Sequence, residues 1–257
     1  MSHFSFAGEH STLYHVRMLK SEESILPPTR DKVILLPGRH GALRMLPDLG
    51  ERHITLECWL DVDTIPFIEG QRQERLRAVA AWLNPLRGVQ KLIFDYDTDK
   101  YFDAIVTSQG INSRIEVHQG IFPVEFVCPD PFYYDAAPDV VTIAVSPHQH
   151  NQRGTAPADP LLRLQGVSLG GSQRLIIQIG TLSVTYTGAL AAGNWLEIDC
   201  QAKTVFRVVG ATRTRVLALL ERPVFPQLAP GINTITITAT GGATWSRLDI
   251  HCRNRWL

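Results

Sequence analysis

The sequence predicts a mainly β chain in two modules. The first, residues 1–135, is an α+β unit: a small β-barrel or sheet with one helix. The second, residues 136–257, is an antiparallel β-sandwich. Three observations carry this reading. Phe122, Val124, Phe126 and Cys128 fall on every second residue, which places all four on one face of a strand. That run meets Pro129-Asp130-Pro131, where a missing N–H and the bias against helix before proline stop further pairing, so it closes the first module. From Leu161 onward strand follows strand, with turns about every ten residues and no helical spacing, the signature of a sandwich.

The length of 257 residues suits two domains of ordinary size, and 44% hydrophobic residues let each half bury a core. Twenty-five basic residues balance 25 acidic ones, so no basic field draws nucleic acid. Cys58, Cys128, Cys200 and Cys252 are far apart, lie on apolar strand faces and lack zinc-ligand spacing. They are expected to be buried free thiols of a protein made in a reducing compartment. The start Met-Ser-His-Phe-Ser-Phe lacks the pattern of a secretory signal, and no apolar run approaches the ~20 residues that span a bilayer. No cofactor and no metal are expected.

In the first module, Phe4 and Phe6 mark a short strand, and Tyr14, Val16 and Met18 repeat the pattern. Residues 21–31, with Pro27-Pro28, read as a loop, and Val33 to Leu36 as a short apolar strand. Arg39 and His40 between Gly38 and Gly41 fit no phosphate-binding glycine spacing and read as a turn or arm. Ile54, Leu56, Cys58, Leu60 and Val62 form the cleanest strand, with Trp59 on the opposite face as an interface anchor or a surface covered by the helix. Leu76, Val79, Ala80 and Leu83 make one apolar stripe on a helix from Glu69 to Leu83, beside Trp82, ended by Asn84-Pro85. This helix is expected to lie as a lid on a small sheet. Lys91 to Phe94 and Tyr101 to Thr107 are strands around Asp95, Asp97 and Asp99. That acidic turn fails as a calcium loop, because Lys100 and Val106 stand where glycine and glutamate are needed. Ile115 to Val117 leads into the closing strand.

In the second module, Val140 to Val145 is a connecting or first strand and residues 146–160 a loop. His148 and His150 in that loop lack a third metal ligand. Strands are expected around Ile177, Val184, Ile198, Phe206, Val216 to Leu220, Ile235 and Ile250. Gly166-Val167-Ser168-Leu169-Gly170 spells the nucleophile elbow G-x-S-x-G. The elbow needs a following helix, and here Gly171 and a strand follow, so a glycine-rich hairpin is expected instead. Trp195 and Trp245 are candidates for stacking on a sugar, with core or inter-sheet packing the preferred reading.

Taken in order, several segments resemble the siphophage distal tail protein (Dit) family. They are Phe4-Ser5-Phe6-Ala7-Gly8, Pro37-Gly38-Arg39-His40-Gly41, Leu49-Gly50-Glu51-Arg52, Ala81-Trp82-Leu83, Lys91-Leu92-Ile93-Phe94-Asp95, Tyr101-Phe102-Asp103-Ala104, Phe126-Val127-Cys128-Pro129-Asp130-Pro131-Phe132-Tyr133, and residues 151–160. The resemblance implies a ring-forming first domain, six copies of which continue the tail tube around a bore that passes DNA and the tape-measure protein. It implies a galectin-like second domain on the outside, a platform for receptor-binding or other baseplate proteins. The implied partners are further copies of the chain, the tail tube protein and the tail-associated hub or lysin protein. The implied location is the distal end of the virion tail, after synthesis in the host cytoplasm. The expected function is therefore structural and not enzymatic: a hexameric baseplate hub joining tube to tip, without specific nucleic-acid binding or membrane insertion. The alternatives are a carbohydrate-binding protein acting through the sandwich and a serine hydrolase using Ser168.

Overall fold

The computed structural model describes residues 2–45, 48–61, 69–107, 120–137 and 139–257, with helix side chains from residue 73 onward. The chain divides into two compact units, residues 1–136 with Leu257 and residues 137–256.

The first unit is built from β1 (Phe4–Phe6), β2 (Glu9–His10), β3 (Val16–Glu23), β4 (Arg52–Leu60), helix α1 (Glu69–Trp82), β5 (Gln90–Phe94), β6 (Asp97–Thr107) and β7 (Ile121–Cys128). The antiparallel strand order is β2-β1-β5-β6-β7-β4-β3. Ser2, just ahead of β1, bridges Met18 in β3 at the far end of that order, and the Met18 N–H donates to the Ser2 carbonyl at 3.0 Å. The sheet thus curls back on itself as a small barrel, which leaves little open edge. Register puts Phe122 opposite Cys58, Val124 opposite Leu56 and Phe126 opposite Ile54, so two alternating apolar rows share the interior. Phe4, Phe6, Leu92, Phe94 and Phe102 fill the rest of it. Strand β7 ends at Cys128, immediately before the proline pair, but pairing does not stop there: beyond the turn Tyr133–Asp135 pairs with Lys100 and Tyr101 of β6, because the prolines interrupt the ladder only locally.

Helix α1 reaches this core through Val79, Trp82 and Leu83, while Ala80, expected in the apolar stripe, is exposed. Trp82 decides which face turns inward. Its indole N–H donates to the Phe6 carbonyl at 3.0 Å, and its ring stacks on Tyr14 and Phe4 with centroids 4.6 and 5.4 Å away. Tyr14 belongs to a 3-10 turn (Ser11–Tyr14) and not to the strand, which starts at Val16 and runs through Glu23, into the segment expected to be loop. Val62 and the segment 115–117 lie outside the described residues.

The second unit contains β8 (Asp139–Ile143), β9 (His148–Gln152), β10 (Leu161–Leu169), β11 (Arg174–Ile179), β12 (Leu182–Tyr186), β13 (Trp195–Asp199), β14 (Thr204–Val209), β15 (Thr212–Arg215), β16 (Gly231–Thr240) and β17 (Thr244–Cys252). One sheet runs β8-β17-β10-β13-β14-β15 and the other β9-β16-β11-β12. Leu162, Leu164, Leu196, Ile198, Leu248 and Ile250 from the first sheet meet Ile177, Ile179, Val184, Ile235 and Ile237 from the second, giving an antiparallel sandwich with one core.

Two segments differ from expectation. His148–Gln152 is an edge strand, because His150 and Gln152 turn inward and are buried; the inward row is polar and carries no apolar alternation. Residues 217–219 form a 3-10 turn, because in this continuous apolar run only Val216 and Leu220 are buried.

Candidate assembly interface

Between β3 and β4 the chain leaves the barrel as a hairpin arm. Thr29–Arg30 pairs with Asp48–Leu49, and Val33–Ile34 pairs with Leu43–Arg44. The Arg39 N–H closes the turn on the Leu36 carbonyl at 3.2 Å, and Arg39 and His40 are exposed there. Among the described residues these short ladders form two-stranded sheets of their own. The arm nevertheless carries a dense apolar surface. Ile25 is 90% exposed, Leu35 75%, Leu26 63%, Val33 55% and Met45 53%. Scattered exposed apolar residues are ordinary, but this many within one short arm mark a candidate interaction surface.

The root of the arm is rigid. Arg52, the first residue of β4, is 1% exposed. Its Nη1 donates to the Ser24 carbonyl at 2.9 Å, where the arm departs, and its Nε donates to the Pro131 carbonyl at 3.1 Å. The guanidinium lies over Phe102 and Tyr133, 5.5 and 5.4 Å from their centroids. The Tyr133 hydroxyl donates to Glu23 at 3.0 Å, and burial, then the Glu23 carboxylate, push its phenol upward. A buried arginine thus ties departure, return and the Pro-Asp-Pro turn to one point.

The sandwich presents a second surface. Outward residues of β10, β13, β17, β14 and β15 form a polar lattice around Trp195. Arg163 and Arg247 lie 4.9 and 5.7 Å from the Trp195 ring, and Arg213 lies 4.5 Å from Phe206. Glu197 pairs with Arg163 at 3.5 Å and with Arg213. Arg247 donates to Asp249 at 2.7 Å, as does the Thr142 hydroxyl. Burial alone would raise the Asp249 carboxyl, but these hydrogen bonds outweigh it and hold the group low.

Residues 10–128 match the family model of the phage tail protein RIFT-related domain. The crystal structure of the SPP1 Dit (gp 19.1) protein, described as a paradigm of the hub adsorption apparatus in phages infecting Gram-positive bacteria, superposes at a TM-score of 0.77. The identity is 12% and the match covers 100% of both chains, so the two share a fold. A chain of the phage P2 baseplate in its activated conformation with calcium aligns at a TM-score of 0.49, 7% identity and 98% coverage of each chain. No curated protein matches the sequence.

Within this fold the remaining sequence candidates fall as follows. Ser168 is 2% exposed, and its Oγ accepts the Gly170 N–H at 3.1 Å. The G-x-S-x-G pattern has a structural origin. A Cβ on Gly166 would come within 2.5 Å of the Thr244 carbonyl at a register shift, and Gly170 and Gly171 take positive φ of 79° and 66° in the turn. Trp245 packs against the sandwich core as expected, whereas Trp195 does not; it stands on the outer face between arginines because Leu196 and Ile198 take the inward positions of β13. Trp59 is partly covered, with Arg17 5.3 Å from its ring. Among the described residues no three His, Cys, Asp or Glu side chains gather as metal ligands. His150 is buried, and burial lowers its pKa.

One arrangement carried no sequence motif. The His10 ring bridges Asp95 at 3.1 Å and Thr12 Oγ1 at 2.7 Å, the geometry of a proton relay. His10 Nδ1 also accepts the Thr12 N–H at 3.4 Å, so the ring serves as the N-cap of the 3-10 turn and fixes that turn to the end of β5.

Proposed function

We propose that this chain is the structural distal tail protein, the baseplate hub component, of a long-tailed phage or prophage. Six copies close head to tail into a ring through the first domain, residues 1–135. The ring joins the tail tube protein above to the hub or lysin protein of the tail tip below, at the distal end of the virion, and the chain performs no catalysis. The single observation that carries this reading is the hairpin arm, with its exposed apolar set from Ile25 to Met45 and its rigid root at Arg52. A surface of that kind is costly to leave in water and is offset when a neighbour covers it. A heterologous contact repeated with a closing rotation makes a ring. The phage tail domain match and the whole-chain likeness to a hub protein support the same reading.

The test is light scattering and negative-stain imaging of the full chain, alone and with tube protein. Six-fold rings are expected, and Leu35→Asp combined with Ile25→Asp should abolish them while leaving the melting temperature within a few degrees, since both side chains are already exposed. Monomers under both conditions, or rings that survive the double substitution, refute the proposal.

A further inference from the structure

The two outer faces of the sandwich are chemically unlike. On the β9-β16-β11-β12 sheet the outward row pairs Gln149 with Thr234, Gln178 with Thr236 and Ile176 with Thr238, and its one arginine, Arg174 opposite Thr240, is matched by Glu221 at 3.9 Å. On the other sheet the two central outward rows carry Arg163, Arg213, Arg215 and Arg247 against Glu197 and Asp249. The chain as a whole is neutral, so this excess of arginine is local. The arginines are also pre-positioned. Arg163 and Arg247 flank Trp195, and the Glu197 and Asp249 carboxylates hold the guanidinium groups in place. Side chains of Arg213 and Arg247 are 55% and 48% exposed.

We infer that this face docks an acidic polypeptide segment, with Trp195 as its apolar anchor and Arg213 and Arg247 as forks for the partner's carboxylates. Tryptophan and arginine are the residue types that dominate protein interface energetics, and a guanidinium already held in place loses little freedom when it takes a carboxylate in two-point contact. The rows that hold Trp195 also hold the excess positive charge, so charge complementarity selects an acidic partner over a basic or neutral one. The opposite face, with a single arginine already matched by Glu221, offers no such selection. The inference concerns the second unit and does not depend on ring closure.

The experiment titrates the full chain with labelled poly-L-glutamate, poly-L-lysine and a polyuronate at low salt, reading fluorescence anisotropy. Light scattering on the same samples reports assembly separately, so a failure to form rings and a failure to bind are distinguishable. Poly-L-glutamate should bind, and binding should weaken with added salt. Trp195→Ala, and Arg213→Gln with Arg247→Gln, should each weaken it tenfold or more, while Gln178→Ala on the other sheet leaves it unchanged. Circular dichroism melting of each variant keeps loss of fold distinct from loss of contact. Equal binding by all variants, equal binding of poly-L-lysine, or tighter binding of the polyuronate than of poly-L-glutamate overturns the inference; the last result assigns the face to an acidic glycan.

Discussion

The two units solve the same packing problem with different side chains. The barrel core buries Phe4, Phe6, Phe94, Phe102, Phe122, Phe126 and Trp82, whereas the only fully buried aromatic ring in the described sandwich is Tyr186. A small closed barrel has a narrow interior lined by every strand, and a few large rings fill it. Two facing sheets instead interdigitate rows of Leu, Ile and Val. The difference teaches where each unit is vulnerable. The barrel depends on a few ring contacts and one buried cation, while the sandwich spreads its stability over many similar methyl contacts.

The most damaging single change tests that contrast directly. Trp82→Ala removes the stack on Tyr14 and Phe4 and the bond to Phe6, and should cost about 3–5 kcal/mol. In calorimetry it should lower one transition and spare the other; equal lowering of both would break the comparison. Arg52→Met comes next. It deletes two charge-assisted bonds to carbonyls while keeping volume, and a loss of about 2–3 kcal/mol is expected by chemical denaturation. It should also loosen the arm root, seen as faster amide exchange around Ser24; an unchanged exchange rate would show that the barrel holds the arm without Arg52.

The smallest effect is acid sensitivity of the sandwich. Burial lowers the pKa of His150 against a partial offset from Asp139, and burial followed by Arg163 lowers that of His251. With folded values below the unfolded value of 6.5, the unfolded chain binds protons that the folded chain resists. Stability of the second unit should therefore fall as pH drops below about 6.5. The melting temperature of its transition between pH 7.5 and 5.5 checks this, and a flat profile would remove these histidines from the account.

Much of this was legible where one face is buried and the other wet. Ile54 to Leu60 and Phe122 to Cys128 announce strands because burial imposes a period of two. The helix was legible in extent and, through Leu76, Val79 and Leu83, in facing; only the exchange of Ala80 for Trp82 was hidden, because the bond to the Phe6 carbonyl that draws Trp82 inward leaves no mark in the sequence. The arm was harder. Val33 and Ile34 have strand-forming side chains, but sequence does not say that their apolar surface stays outside the core. His148–Gln152 was illegible for the opposite reason, because its inward residues are polar. The Arg163, Arg213 and Arg247 lattice left a signal, arginine at alternate positions of adjacent strands, that becomes readable only when register is known.

All four cysteines are buried, and burial pushes the thiols of Cys58, Cys128 and Cys200 up to about 12. A thiol that stays protonated is a poor nucleophile and a slow target for oxidants. The consequence expected is a set of four thiols that stays reduced when the chain meets air. Its fold needs no oxidative maturation, and copies of the chain are expected not to cross-link through these thiols.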